Sequence, residues 1–95
     1  MSFRFSHQTE KEEVLLLEEE LEDLLDLVIY NDDFNTFEFV IETLMKVCRH
    51  DLIQAEQCTM IIHNNGKCGV KRGTAEELQP MCEAILERGI SAKIE

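Results

Sequence analysis

Val28-Ile29-Tyr30-Asn31-Asp32-Asp33-Phe34-Asn35-Thr36-Phe37-Glu38-Phe39-Val40 is the stretch whose reading decides the fold of this 95-residue chain. Val28 and Ile29 beside Tyr30 favour an extended strand, because β-branched and aromatic side chains pack well on a pleated surface. Asn31, Asp32 and Asp33 then interrupt it with acceptor-rich side chains of the kind that form turns. Beyond them the apolar period becomes helical: Phe37, Val40, Ile41, Leu44, Val47 and Cys48 share a face, which predicts a helix over about 36–48. Asn35 with Glu38 three positions on resembles a capping box.

Further along, Asp51 is a second good helix cap. Ile53, Cys58, Ile61 and Ile62 with Ala55 supply the apolar side of a helix that stops before Asn64-Asn65-Gly66, a sequence suited to a left-handed cap. His63 falls in the last turn of that helix. Lys67 to Arg72 reads as a short strand. Thr74 with Glu77 forms a further capping box, and Leu78, Met81, Cys82, Ile85 and Leu86 form a helical face ending at Gly89. Pro80, inside that helix, removes a backbone hydrogen bond and is expected to kink or open its first turns. Ile90, Ala92 and Ile94 alternate with polar residues as a terminal strand.

Upstream, 24–30 reads as the strand already named, but apolar residues at 14, 17, 21, 24 and 28 also match a helical stripe, so the acidic leader 13–26 stays open between strand and helix. Val14 to Leu17 is a candidate extra strand. Residues 1–12 lack periodicity and read as a flexible tail before a single domain over 13–95. The order β-α-α-β-α-β implies a two-layer α+β domain, with a three-stranded antiparallel sheet and helices on one face.

The formal charge is −11. Nine acids against Arg4 and Lys11 leave residues 1–26 at −7, so the remainder is only mildly acidic at −4. Such a chain is a poor partner for nucleic acid or anionic membranes, which require a basic patch. Cys48, Cys58, Cys68 and Cys82 contain no Cys-x-x-Cys pair and no His at zinc-site spacing, so they read as reduced core thiols. His50 beside Asp51 has no second His at ligand spacing. No metal or cofactor is expected. Val14 to Leu17 is too short for a signal-peptide core and no stretch has transmembrane length, which makes a cytoplasmic protein the expectation.

If the second helix ends near the start of the first, His63 joins Asn31 and Asp32 at one rim. Asp32 would then supply a charged acceptor, Asn31 an amide, and neutral His63 a ring acceptor, a set matched to the three donors and positive charge of an ammonium. The competing structural readings are a self-bonded turn for Asn31 and Asp32, a helix cap for His63, and core packing for Phe34, Phe37 and Phe39.

Together, Asn31-Asp32-Asp33 after an apolar strand, Phe37-Glu38-Phe39-Val40 in the next helix, His50-Asp51 between helices, and His63 shortly before a Gly66 turn resemble the ClpS adaptors of the bacterial N-degron pathway. The resemblance covers roughly residues 27–95. It implies an adaptor, not an enzyme, that holds proteins by a destabilising N-terminal Leu, Phe, Tyr or Trp and delivers them to a ClpA- or ClpC-like AAA+ unfoldase with ClpP. It further implies that Asn31, Asp32 and His63 bind the free α-amino group. The first side chain would enter a pocket whose positions look like Asn35, Phe37, Val40, Thr59, Ile62 and Ile90. Phe37, Thr59 and Asn35 stand where that family often has Met, Met and Thr, which implies a pocket of altered size and preference.

Two other readings compete. Asp32 and Asp33 at a strand end resemble acidic pairs that ligate Mg²⁺ in phospho-acceptor domains, although the chain lacks alternating β-α units, a P-loop and a partnered nucleophile. Alternatively, the acidic leader makes this a protein-interaction domain in which the Asn-Asp-Asp turn is merely structural.

Overall fold

The computed structural model describes residues 24–95. The expected flexible tail, the candidate strand at Val14 to Leu17 and nearly all of the acidic leader therefore lie outside the described residues. Within them the order is β1 (Leu25–Tyr30), α1 (Phe37–Val47), α2 (Leu52–Asn65), β2 (Lys67–Gly73), α3 (Ala75–Glu87) and β3 (Ala92–Ile94). This is the α+β order expected from the sequence. β1 is the central strand, antiparallel to β2 on one side and to β3 on the other.

Leu27 and Ile29, both fully buried, project from β1 into a core shared with Val40 and Leu44 of α1, Ala55 and Ile62 of α2, and Leu78 and Ile85 of α3. Their spacing of two fixes which sheet face the helices cover. The β1–β2 register carries a bulge: Leu27 faces Lys71 but Val28 faces Gly69, which leaves Val70 as the extra residue. Val70 is buried, and its carbonyl accepts a hydrogen bond from His50 Nε2 at 2.7 Å. The His50 ring therefore satisfies a bulge carbonyl through its Nε2–H.

Helix α1 starts one residue later than the Asn35–Glu38 pattern predicts. Thr36 is its N-cap, accepting from Phe39 N at 3.1 Å. Asn35 does not cap the helix: its Nδ2 donates to Asp32 and to the Gly89 carbonyl, which turns the side chain toward those partners. At the other end Arg49 takes a left-handed conformation, φ 61°, which lets His50 N–H return to the Leu44 carbonyl.

Helix α2 begins at the expected Asp51 cap and ends at left-handed Gly66. Its buried stripe differs from the expected one: Ala55, Thr59 and Ile62 face inward, whereas Ile53 is 67% and Ile61 41% exposed. Small Ala55 lets the helix approach closely, and Thr59 is tolerated inside because its hydroxyl donates to the Ala55 carbonyl at 2.7 Å. In α3 the Thr74–Glu77 capping box forms as read, and Pro80 does not end the helix, which runs on to Glu87. Leu86, assigned to its inward face, is 50% exposed.

Arg88, just past α3, fastens that helix to α1. Its Nε donates to Thr43 Oγ1 at 2.8 Å, a terminal nitrogen lies 3.5 Å from Glu42, and the guanidinium sits 5.0 Å over the Phe39 ring. The adjoining Gly89 carbonyl is thereby held beside Asn35. Among the described residues, no helix is long and apolar enough to cross a membrane.

Candidate functional site

The backbone of the polar turn is held by its own side chains. Asp32 Oδ1 accepts from Phe34 N and Asn35 N, each at 2.9 Å, and Oδ2 accepts from Asn35 Nδ2 at 2.8 Å. Burial pushes the Asp32 carboxyl up, but the hydrogen bonds from Asn35 and Phe34 together outweigh it and hold the group below the ordinary carboxylate range. Asp32 is therefore ionised at neutral pH and forms the turn that its residue type alone suggested. A carboxylate has about four acceptor positions, so one remains beyond the three bonds it makes.

A second contact brings distant chain segments together. Asn31 N–H donates to the Gly66 carbonyl at 2.8 Å, tying the end of β1 to the turn that closes α2. His63, in the last turn of α2, is thus delivered to the Asn31–Asp32 rim. Its ring meets Phe37 edge-on, with centroids 5.7 Å apart and planes at 80°.

These groups surround a cavity of about 310 Å³. Asn31, Asp32 and His63 line it together, and so do Asn35, Phe37, Val40, Thr59 and Ile62. Ile90, the remaining expected pocket residue, is absent from this lining; at 2% exposure it belongs to the core. Asp33 and Thr36 line the cavity as well. Asp33 was legible as part of the Asn-Asp-Asp turn. Thr36 carried a weaker signal, that of a capping residue one position beyond Asn35.

The rim is rich in acceptors. Asp33 is exposed and makes no hydrogen bond among the described residues, and the Asn31 amide and His63 ring are likewise without side-chain hydrogen bonds there. Phe37, Val40 and Ile62 form the apolar part of the wall. Carboxylates, an imidazole and an amide oxygen beside an apolar recess are complementary to a compact cation with several N–H donors attached to an apolar group. Among the described residues, no three His, Cys, Asp or Glu side chains are placed to hold a metal ion. The four cysteines are free. Burial pushes the Cys48 thiol up to about 11, burial together with the neighbouring Cys68 thiol pushes Cys58 up to about 11, and burial also raises Cys82.

The profile of one protein family, ATP-dependent Clp protease adaptor protein ClpS, matches residues 20–93. Curated relatives carry the same description. The Salmonella arizonae protein is 35% identical over 78 residues, covering 74% of this chain and 72% of that one. The Leptothrix cholodnii protein is 46% identical over 46 residues, 46% of this chain, and that match spans only 40% of the relative's length. In three dimensions the chain is similar to Agrobacterium tumefaciens ClpS2 bound to L-phenylalaninamide, with a TM-score of 0.67 and 22% identity over 77% of this chain and 95% of that one.

Proposed function

Because the chain belongs to the ClpS family of Clp protease adaptors, we propose that the cavity beside Asn31 and His63 holds the free amino terminus of a substrate protein whose first side chain enters the recess. The observation that carries this reading is the convergence of acceptors at Asn31, Asp33 and His63, whose side chains make no hydrogen bond among the described residues, on a pocket walled by Phe37, Val40 and Ile62. The ligand of the Agrobacterium relative, L-phenylalaninamide, has the same two features, an α-ammonium and an apolar side chain.

In this reading Asn31 Oδ1 and a ring nitrogen of His63 accept from the ammonium, and Asp33 supplies a negative charge. Asp32 adds its field and its remaining acceptor position while shaping the loop. Hydrogen bonds to a charged group contribute about 1.5–3 kcal/mol each, and burying a Leu or Phe side chain roughly 1.5–3 kcal/mol. Ordering the peptide end offsets part of this, which puts affinity on the order of micromolar, about 8 kcal/mol. The adaptor makes and breaks no bond. It presents proteins beginning with Leu, Phe, Tyr or Trp to a ClpA- or ClpC-type AAA+ unfoldase and its ClpP peptidase, as a cytoplasmic protein.

Fluorescence anisotropy with labelled peptides tests the reading. Peptides with a free terminal Leu, Phe, Tyr or Trp should bind, and acetylated or Glu- and Lys-initiated versions should bind at least ~10-fold more weakly, equivalent to about 1.4 kcal/mol. Asp33→Asn should weaken binding without lowering the melting temperature. Equal titrations for free and acetylated peptides would refute the assignment.

A further inference from the structure

We infer that Asn35 makes this pocket select first side chains bearing their own hydrogen-bond donor, Tyr and Trp, over Phe and Leu. The inference rests on the amino-terminus reading above and concerns the class of side chain the recess prefers.

The Asn35 amide is fixed on both sides. Nδ2 donates to Asp32 Oδ2 at 2.8 Å and to the Gly89 carbonyl at 2.9 Å. Both neighbours can only accept, so reversing the amide would set oxygen against oxygen at each contact, and its orientation follows from chemistry. The two amide protons are thereby used. Oδ1 faces away from both partners and makes no hydrogen bond among the described residues. It is not sealed in the interior either, since His50 Nδ1 is the one buried side-chain polar atom without a partner among those residues. Asn35 lines the cavity, so its oxygen is an open acceptor, held rigidly by Asp32 and by the turn after α3.

Neither lining hydroxyl serves it: Thr59 Oγ1 donates to the Ala55 carbonyl at 2.7 Å, Thr36 Oγ1 accepts from Phe39 N at 3.1 Å, and among the described residues neither donates to Asn35 Oδ1. A ligand that fills the recess displaces the water reaching Asn35 Oδ1. A Phe or Leu side chain offers nothing in return and leaves a desolvated acceptor, whereas a phenol O–H or an indole N–H restores the bond. Sites built to hydrogen-bond a ligand hydroxyl discriminate strongly against the isostere that lacks it. Phe37, Val40 and Ile62 accommodate the hydrocarbon of either ring, so Tyr and Phe differ at one atom only. The cavity, at about 310 Å³, lies at the small end of ligand pockets.

The test uses the full chain and four peptides that differ only in a first residue of Tyr, Trp, Phe or Leu, each free and acetylated, in anisotropy titrations. Tyr should bind about tenfold more tightly than Phe, and Trp more tightly than Leu. In Asn35→Ala, checked for folding by circular dichroism, the Tyr-to-Phe ratio should collapse towards one, with any loss from the missing Asp32 contact shared by all four peptides. Tyr and Phe binding equally to the wild-type chain, with acetylation still abolishing both, would overturn this inference and leave the amino-terminus reading standing. Retention of the Tyr preference in folded Asn35→Ala would overturn the role of Asn35. Failure of all four free peptides to bind would sink both.

Discussion

Asp32→Ala should destabilise the protein, whereas Asp33→Ala next to it should not. The first substitution removes three hydrogen bonds, from Phe34 N and Asn35 N at 2.9 Å and from Asn35 Nδ2 at 2.8 Å. Shielded bonds to a charged group contribute about 1.5–3 kcal/mol each. This carboxylate is partly exposed and the freed N–H groups rehydrate, so the total loss is about 1–2 kcal/mol, similar to removing a helix cap. For a domain of this size that lowers the melting temperature by roughly 4–16 °C, at about 4–8 °C per kcal/mol. Asp33 makes none of these contacts, and its replacement should stay within about 0.5 kcal/mol. The effect also has a pH signature. The folded-state pKa of Asp32 is lowered, so its contribution is present above the unfolded carboxyl value and is lost as pH falls through the folded value. Thermal melts followed at 222 nm, at neutral pH and in acid, should show the gap between wild type and Asp32→Ala closing on acidification. Equal melting temperatures for the two variants, or a gap that persists unchanged into strong acid, would refute the reasoning.

His50→Ala should cost about 2–4 kcal/mol in urea unfolding, because it orphans the buried Val70 carbonyl and leaves a cavity; His50→Gln, which can still donate, should recover part of it. Thr74→Ala should cost about 1 kcal/mol by the same measurement, since it breaks both halves of the α3 capping box. With thiols pushed up to about 11, Cys48 and Cys58 should be alkylated by iodoacetamide at mildly alkaline pH far more slowly than in the urea-unfolded chain. Prompt stoichiometric labelling of native Cys58, read by mass spectrometry, would contradict that.

The capping signals were legible because they are local. Asp51 and Gly66 bound α2, and Thr74 with Glu77 opens α3, through bonds that close within a few residues. The inward face of α2 was not legible. Leu52, Ile53, Met60 and Ile61 all offer apolar side chains, yet the sheet and α1 select the stripe through Ala55, Thr59 and Ile62, where small side chains allow close approach. Likewise Asn35 lost its expected capping role to a partner 54 positions away, the Gly89 carbonyl.

By itself the sequence determined the element order and the residues of the polar turn, because periodicity, caps and turn propensities act over a few residues. It also placed Asn31, Asp32 and His63 as a candidate set. Only the tertiary structure decided that the Asn31–Gly66 bond joins them at one rim, that Asp32 is committed to the loop while Asp33 makes no hydrogen bond among the described residues, and that Ile90 is buried in the core and does not line the pocket. Those outcomes depend on hydrogen bonds and packing between segments far apart in the chain, which sequence spacing does not encode.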